Sequence, residues 1–256
     1  MLKVINFRES NDDLLKTLVQ NFILCIFVTI ITNPDGKEII LTTYKNMKPQ
    51  EFLEKIKVLA DYIENHPQLE LIDFGIENPA DEVSIQKLID AGMQDPQVLD
   101  FYKQANGVRL QWCVEDETAY STYNMEVLTM IQGFNFIPID GIFQDWKPLF
   151  GADEDSKFKF LFPFNFFNED ACDCFELAEG KKYDKAEIYH FDIEGKKYKL
   201  PLDFNTYLQK LYESKGLWYW FSMFTPDKNP DTEMILSSSA MEDLFPDFDP
   251  YFYDKI

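Results

Sequence analysis

Histidine is scarce, with His66 and His190 the only two in 256 residues. Acid–base and metal chemistry built on imidazole therefore has little to draw on. A Gly-rich phosphate loop of the Walker or dinucleotide type is missing, and so is a G-x-S-x-G nucleophile elbow. The four cysteines (Cys25, Cys113, Cys172, Cys174) are scattered, which excludes a secreted disulfide framework. Long hydrophobic runs are missing too. The longest, Phe22 to Ile31, falls well short of the ~20 residues that span a bilayer, so no membrane partner is expected. Met1 to Asp13 mixes a Lys, an Arg and several acids with no apolar core, so no secretory signal is expected and the chain is read as cytoplasmic.

Basic residues are the last deficit. Lys and Arg number 24 against 45 Asp and Glu, a formal net charge of −21. Such a surface repels phosphate backbones, so direct nucleic-acid binding is not expected. It steers a basic protein partner inward, and it also keeps an aromatic-rich chain soluble. Hydrophobic residues make up 46% of the chain, with 24 Phe and 13 Tyr, which excludes disorder and allows a large packed core.

The pattern along the chain is α+β. Phe22 to Thr32 reads as a strand, Asn33-Pro34-Asp35-Gly36 as a hairpin turn and Lys37 to Thr43 as the return strand. Pro49 opens a helix with Phe52, Ile56, Leu59 and Ile63 at helical spacing, and Leu69 to Phe74 reads as a further strand. Residues 1–76 are thus expected to form a small ββαβ module. The polar stretch Glu77 to Glu82 would link it to a second domain, residues 77–256. There Val83 to Asp90 is a short helix. Asp95-Pro96 caps another, which Asn106-Gly107 ends with glycine in the left-handed conformation. Strands follow at Val108–Val114, Gly133–Ile137, Phe158–Phe164, Asp173–Leu177 and Glu187–Asp192. A short helix is expected over Ile139–Trp146 and a longer one over Leu202–Ser214, stopped by Gly216. From Thr225 the chain reads as an acidic-aromatic tail.

Candidate sites are few. Cys172-x-Cys174 puts two thiols on one face of a strand, and Cys113 and His190 could be imagined to complete a zinc site. The spacing fits no zinc pattern, so all four are assigned to packing or structural hydrogen bonds, and His66 to a cap or the surface. No catalytic residue, metal or cofactor is expected. Two exposed acidic runs, Glu115-Asp116-Glu117 and Asp153-Glu154-Asp155, read first as solvated loops and second as docking points for a basic partner.

Three segments together resemble the SUKH superfamily, which includes the fungal cell-wall assembly regulators and many bacterial immunity proteins. The first runs from Leu99 through Asn106-Gly107 to Leu110, and the second from Ile137-Pro138 to Trp146. The third runs from Phe160 through Cys174-Phe175-Glu176-Leu177 and Ile188–Asp192 to Phe204–Leu208. The resemblance covers roughly residues 80–224 and leaves the N-terminal module aside. It marks Asn106, Gly107, Trp112, Trp146, Phe204 and Gly216 as fold determinants. It implies a mixed or antiparallel sheet flanked by helices, no enzymatic activity, and a role as an immunity protein that neutralises a cognate toxin, including nuclease toxins. A nuclease presents a basic cleft to phosphates, which an acidic inhibitor can occupy. A non-catalytic scaffold, as in the fungal branch, and a carboxylate- or metal-dependent enzyme are the competing readings.

Overall fold

A computed structural model describes residues 27–32, 38–43, 47–123, 125–146, 158–167, 171–192, 195–218, 220–225, 235 and 239–254. The chain divides into two compact units, residues 1–46 and 47–256. In the first, β1 (Phe27–Thr32) and β2 (Glu38–Thr43) pair antiparallel, with Thr32 opposite Glu38. The expected turn, Asn33 to Gly36, lies outside the described residues.

The second unit opens with α1 (Pro49–Glu64). Pro49 starts it because a first-turn residue has no N–H bond to lose, and Phe52, Ile56, Leu59 and Ile63 are buried along one face. After β3 (Leu69–Ile76) come α2 (Glu82–Asp90) and α3 (Pro96–Tyr102). Asp81 caps α2 by accepting the Ser84 N–H at 2.7 Å, and Asp95 caps α3 by accepting from Gln97 at 2.9 Å. The other Asp95 oxygen takes the Ala186 N–H at 2.7 Å, tying α3 to a distant loop.

Seven strands then form one sheet: β3, β4 (Val108–Val114), β5 (Gln132–Phe136), β6 (Leu161–Phe166), β7 (Ala171–Glu176), β8 (Ile188–Asp192) and β9 (Lys197–Lys199). Their spatial order is their chain order, every pair is antiparallel, and the sheet stays open with β3 and β9 at its edges. In β4, Val108, Leu110, Trp112 and Val114 are buried while Arg109, Gln111 and Cys113 are half-exposed, the alternation of a sheet with one face on a core. That inner face packs against α1, α3 and α5 (Phe204–Glu213). The core between them is aromatic: Phe101 meets Phe136 at 4.9 Å between centroids, and Phe164 stacks on Phe175 at 4.0 Å.

Three expectations are corrected. The ββαβ module of residues 1–76 is not a unit, since β3 is hydrogen-bonded along β4 and α1 lies in the main core; the division falls after Asn46. The helix after Pro138 is only α4 (Ile139–Ile142), and Trp146 hydrogen-bonds back to the Ile142 carbonyl at 3.1 Å. The C-terminal segment is not a tail. After α6 (Ala240–Leu244), Leu244, Phe245, Phe248 and Phe252 are buried in the main core, and Phe245 packs edge-on against Trp112 at 5.1 Å.

Both cap glycines differ from expectation as well. Helix α3 ends at Tyr102, and Gly107 does not have positive φ. Its bare Cα instead lets Glu77 and the Phe136 carbonyl approach, since a Cβ would stand 3.0 Å from the former and 3.2 Å from the latter. Helix α5 ends with Lys215, not Gly216, in the left-handed C′ position (φ 57°). The Lys215 N–H bonds to Tyr212 O and the Gly216 N–H to Leu211 O, both at 3.0 Å, which is the Schellman pattern. Gly216 has φ 69°, and a Cβ there would stand 2.8 Å from the Cα of Gly133 in β5. Gly216→Ala is expected to destabilise the fold by about 2–4 kcal/mol, combining the left-handed penalty with overpacking. Urea denaturation measures it.

Candidate functional site

Polar chemistry concentrates in two places, one inside the sheet and one at its rim. The inside cluster is set by register. Phe136, Asn165, Asp173 and His190 lie opposite one another across β5, β6, β7 and β8, so one row of the core face turns from aromatic to polar. A bulge at Phe164 makes this possible: Pro163 pairs with Cys174 and Asn165 with Asp173, so Phe164 and Asn165 are both buried.

Asp173 and His190 are 0% and 1% exposed. The His190 Nδ1–H donates to Asp173 Oδ1 at 2.8 Å, the tautomer that a carboxylate neighbour dictates. The Tyr207 hydroxyl, from α5, donates to the other Asp173 oxygen. Asn165 Nδ2 donates to the Tyr207 oxygen at 2.7 Å, and its Oδ1 accepts the Asn135 N–H at 3.0 Å. Burial, and then the Asp173 charge, hold the Tyr207 phenol well above its ordinary range. Phe221 stacks on the imidazole with ring centroids 3.3 Å apart, and His190 Nε2 has no hydrogen-bond partner among the described residues. The arrangement orients an imidazole as a catalytic Asp–His pair would, but behind a wall of aromatics.

The same alternation separates the imagined zinc ligands. Cys172 and Cys174 face outward beneath Trp146 and Phe158, with their sulfurs 3.6 Å apart, while His190 faces inward with Asp173. Cys113 lies on β4, three strands from β7. His66 accepts the Gln68 N–H at 3.2 Å in the turn before β3.

The rim cluster lies where β4 ends. Glu115, Asp116 and Glu117 are all exposed there, as is Glu70 on the neighbouring β3. Cys113, paired with Glu70 in the ladder, senses them. Burial pushes its thiol up to about 11, with further raising by Glu70, Asp116 and Glu115. The second acidic run, Asp153 to Asp155, lies outside the described residues. The fold determinants are placed as follows. Asn106 Oδ1 accepts the Ile139 N–H at 3.0 Å, joining the end of α3 to α4. Trp112 is buried and donates to the Lys215 carbonyl at 2.8 Å, and Phe204 is buried between Phe101 and Phe164.

Sequence inspection missed Asp173, Asn165 and Tyr207. A signal was available in the odd position of Asp173, an acid between two cysteines in an otherwise apolar strand. Among the described residues no three His, Cys, Asp or Glu side chains stand close enough to hold a metal ion, and no helix is long and apolar enough to cross a membrane.

Two outcomes are expected. His190→Ala, which leaves the Asp173 carboxylate buried with one donor fewer, costs about 3–5 kcal/mol, and the paired change Asp173→Val with His190→Phe recovers much of that loss; denaturant midpoints decide. At pH 8 Cys113 alkylates about a hundredfold more slowly than an unperturbed thiol, and Glu70→Gln accelerates it, read by peptide-resolved mass spectrometry. No family model, curated protein or solved structure matches the chain.

Proposed function

We propose that the protein acts by binding a basic protein partner, as an immunity-type inhibitor of a cognate toxin domain in the cytoplasm, and that it catalyses no reaction. A SUKH-like fold is part of this reading. It rests on the three resembling segments, and the antiparallel sheet with helices on its inner face is the kind of architecture they imply.

The observation that carries the proposal is the distribution of charge. Among the described residues Asp95 and Asp173 are the buried carboxylates, whereas Lys210 and Lys215 are buried lysines. Lys210 donates to the Phe252 carbonyl at 2.6 Å and pairs with Glu213 at 3.0 Å; Lys215 pairs with Asp247 at 2.8 Å. Burial among the described residues thus removes as many acids as lysines, and the acidic excess of a chain with net charge −21 is left to its surface. The field of such a surface raises the encounter rate with a basic domain and disfavours acidic ones. Non-catalytic action is supported by the placement of His190 and Asp173. The groups best suited to acid–base work are sealed from solvent, where they hold the core together.

In an activity assay, an equimolar amount of this protein is expected to silence the toxin encoded beside its gene. Affinity should fall at least about tenfold between 50 and 500 mM salt, as charge steering is screened. Undiminished toxin activity in a molar excess of the protein would sink the proposal.

A further inference from the structure

The outer face of the sheet is treated differently at its two ends. Over β6, β7 and β8 it is roofed: Leu161, Cys172, Cys174 and Phe191 pack beneath Trp146 and Phe158, with Trp146 5.3 Å from Phe166 and Phe158 5.1 Å from Phe191. Over β3, β4 and β5 the same face carries large apolar side chains in the open. The β3 bulge between Leu71 and Asp73 leaves Ile72 42% exposed. The pairing of Trp112 with Gln132, carried one residue further, sets Ile131 opposite Cys113, and Ile131 is 46% exposed. Ile72 on β3, Cys113 on β4 and Ile131, the residue before β5, thus form a strip on this face.

Carboxylates frame this strip on both sides. Glu70, Glu115 and Asp116 stand close enough to Cys113 to raise its thiol. At the opposite end the single basic residue of the three strands, Arg109, is held by Asp73 at 2.8 Å and Glu77 at 3.2 Å, so its charge is answered within the face. An open apolar strip inside an acidic frame complements one kind of surface, an apolar residue surrounded by Lys or Arg.

We infer that the outer face of β3–β5, centred on Ile72 and Ile131, is the docking surface for a basic protein partner that inserts an apolar anchor between its cations. This rests on the proposed binding function and adds where the partner sits and what it presents. The apolar strip excludes water at the centre while the acids set orientation and encounter rate.

The test uses the full chain and two octapeptides, one alternating Lys and Leu and one of Lys alone, titrated at low salt and followed by backbone amide shifts. The alternating peptide is expected to perturb Leu69–Ile76, Arg109–Val114 and Gln132–Phe136, and to bind about tenfold more tightly than octalysine. Ile131→Lys and Glu115→Lys should each weaken it about tenfold. Glu82→Lys, an equal charge change on exposed α2, should not, and the same spectra report whether each variant is folded. Shifts scattered over the surface, or equal affinity for both peptides, would overturn this docking face while leaving charge-driven binding in place. No binding of either peptide would overturn both.

Discussion

A carboxylate placed in an aromatic core must find donors, and the arrangement around Asp173 follows from that requirement. Desolvating the group without partners would cost several kcal/mol. Three elements answer it: β8 supplies His190, α5 supplies Tyr207, and the bulged β6 supplies Asn165 to hold Tyr207 in place. The same residues fix the sheet's register. A slip of one residue in β7 would send Asp173 outward and bring a cysteine into its place, stranding both the histidine and the tyrosine. The polar row therefore selects one pairing among strands whose apolar residues alone would tolerate others.

The outer surface follows from this economy inside. With Asp173 held in the core network and Asp95 capping α3, the other described carboxylates lie at the surface, several of them paired with Arg or Lys there. Glu70 and Asp73 lie on β3, and Glu115 follows β4, at the end of the sheet away from Trp146 and Phe158.

Local chemistry was largely legible in the sequence. Alternation in Val108–Val114, the Asp95-Pro96 cap and the helical spacing of Phe52, Ile56, Leu59 and Ile63 each involve residues a few positions apart, and each element is present. Non-local pairing was not legible. Glu77 to Glu82 has the composition of a linker, yet β3 before it is the edge strand of the main sheet, a membership decided by hydrogen bonds to β4. The bulge at Phe164 leaves no mark in the residue types, so the meeting of Asn165 with Asp173 could not be foreseen. Acids interleaved with aromatics after Thr225 looked like a solvated tail because the partners of Phe245 and Phe252 lie far away in sequence. Of the candidate site, the exposure of Glu115–Glu117 was readable, while its juxtaposition with Glu70, Ile72 and Ile131 depends on register.

The closing of the core by residues 244–252 bears on how the protein is made. Tyr62 of α1 donates to the Leu244 carbonyl at 2.6 Å, a contact between residues 182 apart, and Lys210 waits for the carbonyl of Phe252. During synthesis the meander can pair strand by strand as it emerges, since each strand's neighbour is next in line. Trp112 nevertheless lacks its contact with Phe245, Lys215 lacks Asp247 and Lys210 lacks the Phe252 carbonyl until residues 245–252 leave the ribosome. A nascent chain of this protein thus passes through a stage in which the sheet is assembled while one flank of its core is still open. The time taken to translate from Trp112 to Phe252 sets how long that flank is available to chaperones or to other chains.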